Sequence, residues 1–305
     1  MGSRVGMGRE EEEGARVNGS RRSAWLMTGV LALVSLFPAR AGAQPPPAEL
    51  PLYLRDRGLG IPTSMFGTYV APKEWVAYVF YEYTVNRDAE YKPAELGFGL
   101  DQDFRAKSTE HEFLLFYGFG VSDWFLFELE SALFASVEQE KAGDDPSAMP
   151  SRIRESGIGD TEGQFRWRLR KETAGGPEIF TYTEVVLPLQ RRRKLLGTQD
   201  WEFAQGLGFI KGSGFGTFTV RGALAYSTGE NKLEAGEYAL EYLKRASEQW
   251  RWYVGVEGEQ DEVALIAEAQ FRLSPDSYLK LNDGIGLTDK APDHALEVGV
   301  VMSFH

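Results

Sequence analysis

The chain has 305 residues, of which 43% are hydrophobic and 13% aromatic, and a formal net charge of −12. This length allows one large domain or two ordinary ones. The acidity argues against a nucleic-acid partner, because such partners select basic surfaces. The absence of cysteine excludes disulfide frameworks, thiolate metal sites and cysteine nucleophiles, and it is compatible with export.

An apolar run near the N-terminus has the features of a signal peptide. Arg21 and Arg22 precede it, it covers residues 24–37, and the small residues 41–43 follow where a signal peptidase would cut. The run is shorter than the roughly 20 apolar residues of a membrane-spanning helix, which disfavours the alternative of a membrane anchor. The arginine pair also allows a twin-arginine signal. Residues 1–43 are therefore predicted to be an N-terminal extension and signal peptide.

The first 20 residues do not suit a signal peptide, because they contain the acidic run Glu10–Glu13. A start codon assigned too far upstream would explain them. Residues 1–43 hold six arginines and four glutamates, so the chain left after cleavage carries a net charge of −14. The exported protein is predicted to be more acidic than the full chain.

Residues 44–74 lack a clean period. They begin with Pro45-Pro46-Pro47 and contain Pro62 and Gly67, which interrupt regular structure. The sequence predicts an irregular periplasmic lead-in here.

From Trp75 onward, apolar and polar residues alternate in about twelve segments of roughly ten residues, the length of a tilted membrane-spanning strand. The predicted segments are 75–86, 109–119, 123–136, 157–171, 178–190, 200–211, 215–227, 234–246, 249–260, 262–274, 277–287 and 294–304. The predicted fold is all-β, an antiparallel up-and-down transmembrane β-barrel of about twelve strands formed by residues 75–305.

The last segment indicates how such a barrel would close. One side of residues 295–304 is almost entirely apolar and ends on Phe304, whereas the other carries Glu297 and small residues. A final strand that ends on an aromatic residue is typical of one that pairs with the first strand and leaves no open edge in lipid. It would also be the contact with the barrel assembly machinery. His305 follows the aromatic residue, and the alternative is the last strand of a soluble sandwich.

The connections between segments alternate in length. Short turns such as Gly212 to Gly214 and Ser274 to Asp276 are built from Gly, Pro, Ser and Asp, and long polar links such as Arg87 to Ser108 and Gln139 to Ser156 lie between them. Periplasmic turns and extracellular loops of outer-membrane barrels differ in this way. Both ends of the chain are therefore predicted to lie in the periplasm.

Charged residues occupy the side of the strands opposite the apolar side, which predicts an apolar exterior and a wet, charged lumen. The predicted lumen-lining residues are Glu82, Glu112, Glu128, Glu130, Glu162, Glu202, Glu237, Glu241, Glu257, Glu268, Glu297, Arg166, Arg168, Arg170, Arg221, Arg251, Arg272 and Lys280. Acids outnumber bases, which favours a pore that prefers cations or admits amphiphiles. The alternative is a lattice of salt bridges that fills and stiffens a narrow barrel.

The fourth segment alternates most clearly, with Phe165, Trp167 and Leu169 on one side and three arginines on the other. An arginine in lipid near the midplane costs roughly 2 to 4 kcal/mol, so all three are predicted to face inward. Glu128 and Glu130 of the neighbouring segment are their predicted partners. The fifth segment is ambiguous, because Glu184 is in phase with Phe180 and Tyr182.

Three glycine-based or aromatic motifs carry a resemblance to a known family. They are Tyr81-Glu82-Tyr83, Ser156-Gly157-Ile158-Gly159-Asp160 and Asp283-Gly284-Ile285-Gly286-Leu287-Thr288-Asp289. Across residues 75–304 the chain resembles the outer-membrane barrels labelled "meta-pathway of phenol degradation". The resemblance implies passage of small organic solutes, aromatic ones among them, and supplies no catalytic residues. The lead-in and the long first loop are not part of the family pattern, which leaves open a distinct branch with another solute or none.

The sequence supplies no clear catalytic or metal site. A hydrolase would need a nucleophile with a base, and of the three histidines only His111, between Glu110 and Glu112, is a candidate. A polar residue at the bilayer boundary is the simpler interpretation of His111. Asp101, Asp103 and the pair Asp144-Asp145 fit no recognised calcium loop. We expect no enzymatic activity, no cofactor and no metal.

These observations predict an outer-membrane channel or transporter for small organic solutes. Its partners would be outer-membrane lipid and a small-molecule solute. The alternatives are a structural barrel that does not conduct and a soluble periplasmic lipid carrier, which would require the apolar face inside.

Overall fold

The computed structural model describes residues 50–229 and 231–304, so the predicted signal peptide lies outside the described residues. Fifteen strands form in this part of the chain: β1 Ile61–Pro62, β2 Tyr69–Val70, β3 Trp75–Tyr91, β4 Phe104–Ser122, β5 Phe125–Glu140, β6 Arg152–Gly157, β7 Thr161–Arg170, β8 Glu178–Val186, β9 Glu202–Gly212, β10 Thr217–Ser227, β11 Lys232–Arg245, β12 Trp250–Glu259, β13 Glu262–Ser274, β14 Ser277–Gly286 and β15 His294–Phe304. A 3₁₀ turn, Leu52–Leu54, precedes them. Among the described residues, no helix has the length and apolarity needed to cross a bilayer.

The long strands form one closed antiparallel barrel. β15 pairs with β3 along its whole length, from His294 opposite Val85 to Phe304 opposite Trp75. β4 also pairs with β5, and the other long strands follow in chain order around the barrel. β6 and β7 both pair with β5 and together act as one interrupted strand, which makes a closed barrel of 12 strands. The predicted fold class is confirmed, and the last strand closes the barrel as expected.

The hairpin of β3 and β4 extends further at the long-loop end than the sequence predicts. β3 continues to Tyr91 and β4 begins at Phe104, so only residues 92–103 remain a loop. The extension is stabilised because Tyr91 and Phe104 are buried together with Ala142 and Met149 of the next loop. Burial of these side chains offsets the cost of ordering a longer hairpin.

The fourth predicted segment is interrupted where it was expected to be continuous. The Gly159 amide donates to the Ala132 carbonyl at 2.8 Å, and the Ala132 amide donates to the Asp160 carbonyl at 2.9 Å. A β-carbon on Gly159 would overlap the Ala132 side chain. Close approach of the two backbones therefore divides the strand into β6 and β7.

The outer face of the barrel is apolar. Phe165 and Leu169 of β7 are 39% and 62% exposed, and neither points into the barrel. Exposed large apolar side chains on the other strands include Leu129, Phe203, Leu207, Phe209, Phe218, Val220, Leu224, Leu240, Val254, Leu279, Leu281, Leu296 and Val298. A continuous exposed apolar surface of this kind is not typical of a soluble monomer.

Residues 50–74 do not form an irregular lead-in outside the barrel. They contain the β1–β2 hairpin, in which Ile61 lies opposite Val70, and both residues are fully buried. The segment contacts β5, β7, β12, β13 and β14 at once, which requires a position inside the barrel. We call residues 50–74 the plug and the enclosed space the lumen.

Candidate functional site

The plug fills the lumen at the end where the short turns lie. The Lys73 amide donates to the Gly120 carbonyl at 2.6 Å, and the Arg245 amide donates to Asp56 at 2.8 Å. Tyr53 lies so close to Gly212 that a side chain there would overlap the Tyr53 carbonyl. Both ends of the plug are therefore held by contacts with the short turns.

Apolar residues of the wall face inward where they contact the plug. Ile61 and Val70 pack in one cluster with Tyr78, Phe116 and other buried residues of β3, β4 and β5. Tyr69 packs in a second cluster with residues of β8, β9, β11, β12 and β13. We call the half of the lumen at the short turns the lower lumen and the other half the upper lumen. The lower lumen is a packed core, so the prediction of a wet, charged lumen is wrong for this half.

Arg57 is the buried cation of the plug. Its guanidinium lies 3.2 Å from Glu172 and 2.8 Å from Glu178, and all three side chains are almost fully buried. Burial by itself would lower the pKa of Arg57, but Glu178, Tyr69 and Glu172 outweigh it and the pKa lies above its ordinary value. Two carboxylates therefore compensate the buried guanidinium, and each of them has a second cationic partner, Lys211 for Glu172 and Arg168 for Glu178.

A second group of contacts holds the turn between β1 and β2, residues 63–68, which we call the tip of the plug. The amide and hydroxyl of Ser64 donate to Glu128 at 2.9 and 2.6 Å. The Phe66 carbonyl accepts hydrogen bonds from Lys280 at 2.8 Å and from Gln270 at 3.3 Å. The Phe66 ring stacks on Tyr253 with a centroid distance of 5.0 Å. Polar groups on opposite sides of the barrel therefore hold the same tip.

The three arginines of β7 have three different environments. Arg166 is 1% exposed and its Nε lies 2.7 Å from Glu128, the partner expected from the sequence. Arg168 pairs instead with Glu178 at 2.9 Å, and it also donates to the Gly60 carbonyl of the plug.

The expectation for Arg170 is wrong. Its side chain is exposed and lies against Gly176 in the following turn. The register of β7 with β8 shifts between Arg168 and Arg170, and this irregularity breaks the alternation on which the expectation depended. Glu130 does not pair with these arginines either, since it lies opposite Glu162 in the register of β5 and β7.

Arg221 is the centre of a separate ionic cluster. Its guanidinium pairs with Glu241 at 2.8 Å, with Glu257 at 2.7 Å and with Glu237. Three carboxylates around one cation leave an excess of negative charge in this part of the lumen.

Acidic residues also form a row across adjacent strands above the plug. In the register, Glu112 lies opposite Glu82, Glu82 opposite Glu297, and Glu297 opposite Asn282. Asn282 donates to Glu297 at 2.7 Å and to Glu268 at 3.3 Å. Glu268 also pairs with Lys280 at 3.0 Å, which connects the row to the tip of the plug.

The fifth predicted segment turns two aromatic rings inward. Phe180 and Tyr182 are 1% exposed, and side chains at Gly208 and Gly206 of β9 would overlap their rings. The Arg166 guanidinium lies 4.8 Å from the Tyr182 ring centroid, which fits a cation–π contact. The ambiguity at Glu184 is therefore resolved, since it shares the inward face with both aromatic residues and accepts a hydrogen bond from Gln164.

Two of the three remaining charged candidates lie near the short turns. Arg251 is buried over the Tyr278 ring at 4.5 Å. Arg272 donates to the carbonyls of Ser274 at 3.1 Å and Pro275 at 3.3 Å, so it stabilises a turn rather than the ionic lattice. Glu202 is exposed at the opposite end of its strand.

The two described histidines lie apart from the lumen contacts. His111 Nδ1 is 2.6 Å from the Tyr81 hydroxyl in an exposed contact. His294 Nδ1 is 3.1 Å from Asp283 Oδ2.

Sequence reasoning missed Arg57 of the plug and several buried wall residues around it. These wall residues are Glu172, Glu178, Gln270 and Asn282, together with the inward Tyr78 and Tyr253. A signal was present, because Ile61 and Tyr69-Val70 flank a Ser- and Gly-containing turn, a pattern typical of a hairpin. The two prolines and glycines around them masked it.

Comparisons with known proteins supply no family. No protein-family model matches the chain, so the resemblance to the phenol-degradation barrels is not confirmed. No curated protein matches either.

Solved structures with similar folds are barrels. The KdgM porin in complex with disordered oligogalacturonate is 8% identical, with 75% of this chain and 99% of that chain covered and a TM-score of 0.47. The translocator domain of autotransporter NalP from Neisseria meningitidis is 9% identical, with 93% and 96% covered and a TM-score of 0.43. OprB from Pseudomonas putida is 7% identical, with 76% and 93% covered and a TM-score of 0.31. At such values the function of this chain must be argued from its own residues.

Proposed function

We propose that the protein is an outer-membrane channel for small organic solutes that are uncharged or cationic, and that the plug closes it in the observed state. The observation that carries the proposal is the combination of an apolar outer face with charged inner rows in a closed barrel. The proposal includes no catalytic step and no cofactor.

The outer face supports the membrane location. A barrel in lipid needs apolar side chains outside and no open strand edge, and the β15–β3 and β4–β5 pairings remove both edges. Strands of 9 to 19 residues are long enough to cross the hydrocarbon layer at a tilt. A lipid carrier would need the reverse arrangement, yet Arg166, Glu128 and Lys280 are buried inside. The structure therefore favours a membrane barrel over a carrier.

The charge of the upper lumen supports the solute class. Among the described residues, the ion pairs of the wall away from Arg57 and Arg168 include those of Glu128, Glu237, Glu241, Glu257 and Glu268. Glu82, Glu112, Glu130 and Glu162 supply further acid without such pairs. An acid-rich wall concentrates cations and repels anions. We therefore assign cationic and uncharged solutes to this lumen.

The plug also supports the second candidate function, a structural barrel that does not conduct. Its apolar clusters and its buried Arg57 ion pairs resemble a permanent core. The two functions differ in one property, because only the channel has a state in which residues 50–74 no longer fill the lower lumen.

The location and orientation can be tested by cysteine labelling, since the chain contains no cysteine. We expect Asp101→Cys, in the loop between β3 and β4, to react with a bulky membrane-impermeant maleimide in intact cells. Lys171→Cys, in the turn between β7 and β8, should react only after the outer membrane is permeabilised. Both variants should fractionate with outer membranes and shift on unheated gels. Labelling of position 171 in intact cells would contradict the orientation.

Replacing Arg168 with alanine tests whether β7 borders a conducting path. The change deletes a positive charge from the lumen and removes the donor to the Gly60 carbonyl of the plug. We expect a higher single-channel conductance in planar bilayers and a shift of selectivity further toward cations. Arg170→Ala is the matched control, because Arg170 is exposed on the same strand and should change neither quantity. Equal conductance and selectivity of the two variants would show that Arg168 does not line the conducting path.

A further inference from the structure

A cavity of about 320 Å³ lies at the short-turn end of the barrel, between the plug and the wall. The plug contributes Leu52, Arg55 and Asp56, and the wall contributes the turn at Gly214 and the end of β11 at Lys244 and Arg245. Three of these residues are basic and one is acidic. The cavity therefore carries positive charge in a chain that is strongly acidic elsewhere.

The single carboxylate of the cavity is already engaged. Asp56 accepts from the Arg245 amide at 2.8 Å, and its other oxygen lies 3.6 Å from Lys244 Nζ. Lys244 therefore offsets the charge of Asp56 and also donates to the Gly214 carbonyl at 3.0 Å.

The two guanidinium groups of the cavity have no such compensation. Arg245 donates through Nε to the Arg55 carbonyl at 3.0 Å, and Arg55 donates through Nε to the Leu50 carbonyl at 3.5 Å. Within residues 50–229 and 231–304, the ion pairs of the protein include neither arginine, whereas Arg57 and Arg168 nearby are both paired. The Arg245 side chain also donates to the Tyr278 hydroxyl, which leaves the charge of its guanidinium without a carboxylate partner. The terminal nitrogens of Arg55 face the same cavity, so two arginine charges without a carboxylate partner lie beside it.

We propose that this cavity binds an anionic phosphate or carboxylate group between Arg55 of the plug and Arg245 of the wall. Paired guanidinium groups suit such anions, because their planar forks donate two hydrogen bonds at once. An anion that bridges plug and wall favours the closed state by mass action. This consequence rests on the proposed channel function.

Two sources could supply the same group. Leu52 is half exposed at the cavity, and Phe215 in the adjoining turn is 83% exposed, so apolar surface adjoins the charges. A phospholipid of the periplasmic leaflet would present a phosphate together with acyl chains, whereas free phosphate would use the charges alone.

Calorimetric titration of the purified full-length mature protein with inorganic phosphate tests the proposal. The protein is held in nanodiscs of phosphatidylcholine, which has no net charge. We expect saturable 1:1 binding that weakens as sodium chloride is added. Arg55→Gln combined with Arg245→Gln should lower the affinity about tenfold or more, since both charge-assisted contacts are lost. Lys171→Gln is the matched control, because Lys171 is a cation at the same end that pairs with Asp123 outside the cavity.

The outcomes distinguish a lipid headgroup from free phosphate, and they distinguish failure of the anion site from failure of the channel function. Nanodiscs that contain phosphatidylglycerol should abolish the phosphate signal if the lipid headgroup occupies the cavity, and should leave it intact if free phosphate is the ligand. No saturable phosphate binding in phosphatidylcholine, or equal affinity in the double variant and in wild type, would overturn the proposal. Binding is measured without conductance, so failure of the channel would leave this result standing.

Discussion

Deleting residues 50–74 from the mature protein is expected to raise the conductance of the barrel in planar bilayers by about an order of magnitude. The plug supplies Ile61, Val70 and Tyr69 to both apolar clusters of the lower lumen, so its removal leaves that half open. The inner acids should then make the open pore selective for cations. Single-channel recording with reversal potentials in a salt gradient measures both quantities.

The deletion needs a folding check and a control deletion at the other end of the barrel. Heat-modifiable migration on gels reports whether the barrel still closes. Deleting the loop 92–103 removes chain at the opposite end and should leave the conductance low. If the plug deletion is folded and remains closed, the structural-barrel function would replace the channel. A milder variant, Ser64→Ala with Phe66→Ala, retains the segment but loses the Ser64 hydroxyl contact with Glu128 and the stacking on Tyr253, and should open intermittently.

Replacing Arg221 with methionine is expected to lower the free energy of unfolding by about 3 to 5 kcal/mol. The buried guanidinium holds Glu237, Glu241 and Glu257 together, and its loss leaves three carboxylates facing one another in the lumen. Methionine retains most of the length of the side chain, so loss of charge rather than volume dominates. Urea titration of the protein in liposomes, followed by tryptophan fluorescence, measures the change.

The control for Arg221 is an arginine whose carboxylate partners lie at the surface. Arg105 pairs with Asp88 and Glu90 at 3.2 Å each, but all three side chains are exposed to solvent. Arg105→Met should therefore cost less than about 1 kcal/mol. Combining Arg221→Met with Glu241→Gln and Glu257→Gln should recover part of the loss, because the neutral amides no longer repel. Equal effects of Arg221→Met and Arg105→Met would show that the buried cluster contributes little.

The apolar alternation in the sequence was sufficient to predict the barrel and the number of its strands, and it predicted an apolar outer face for the strands other than the ambiguous fifth segment. A strand has a side-chain period of two, so Phe165 and Leu169 on one side require Arg166 and Arg168 on the other. Local pattern determines these features, and the long strands obey it except at bulges such as the one before Arg170.

Only the tertiary structure decided what fills the lumen. Ion-pair partners depend on register across strands, which placed Glu178 rather than Glu130 beside Arg168. The plug has little regular structure of its own: its two short strands pair with each other, and groups such as the Ser64 amide and the Phe66 carbonyl form hydrogen bonds with the wall. A segment whose stability comes from distant contacts leaves almost no periodic signal. The aromatic residues of the lower lumen point inward because they pack against Ile61, Phe66 and Tyr69 of the plug, a contact that only the tertiary structure shows.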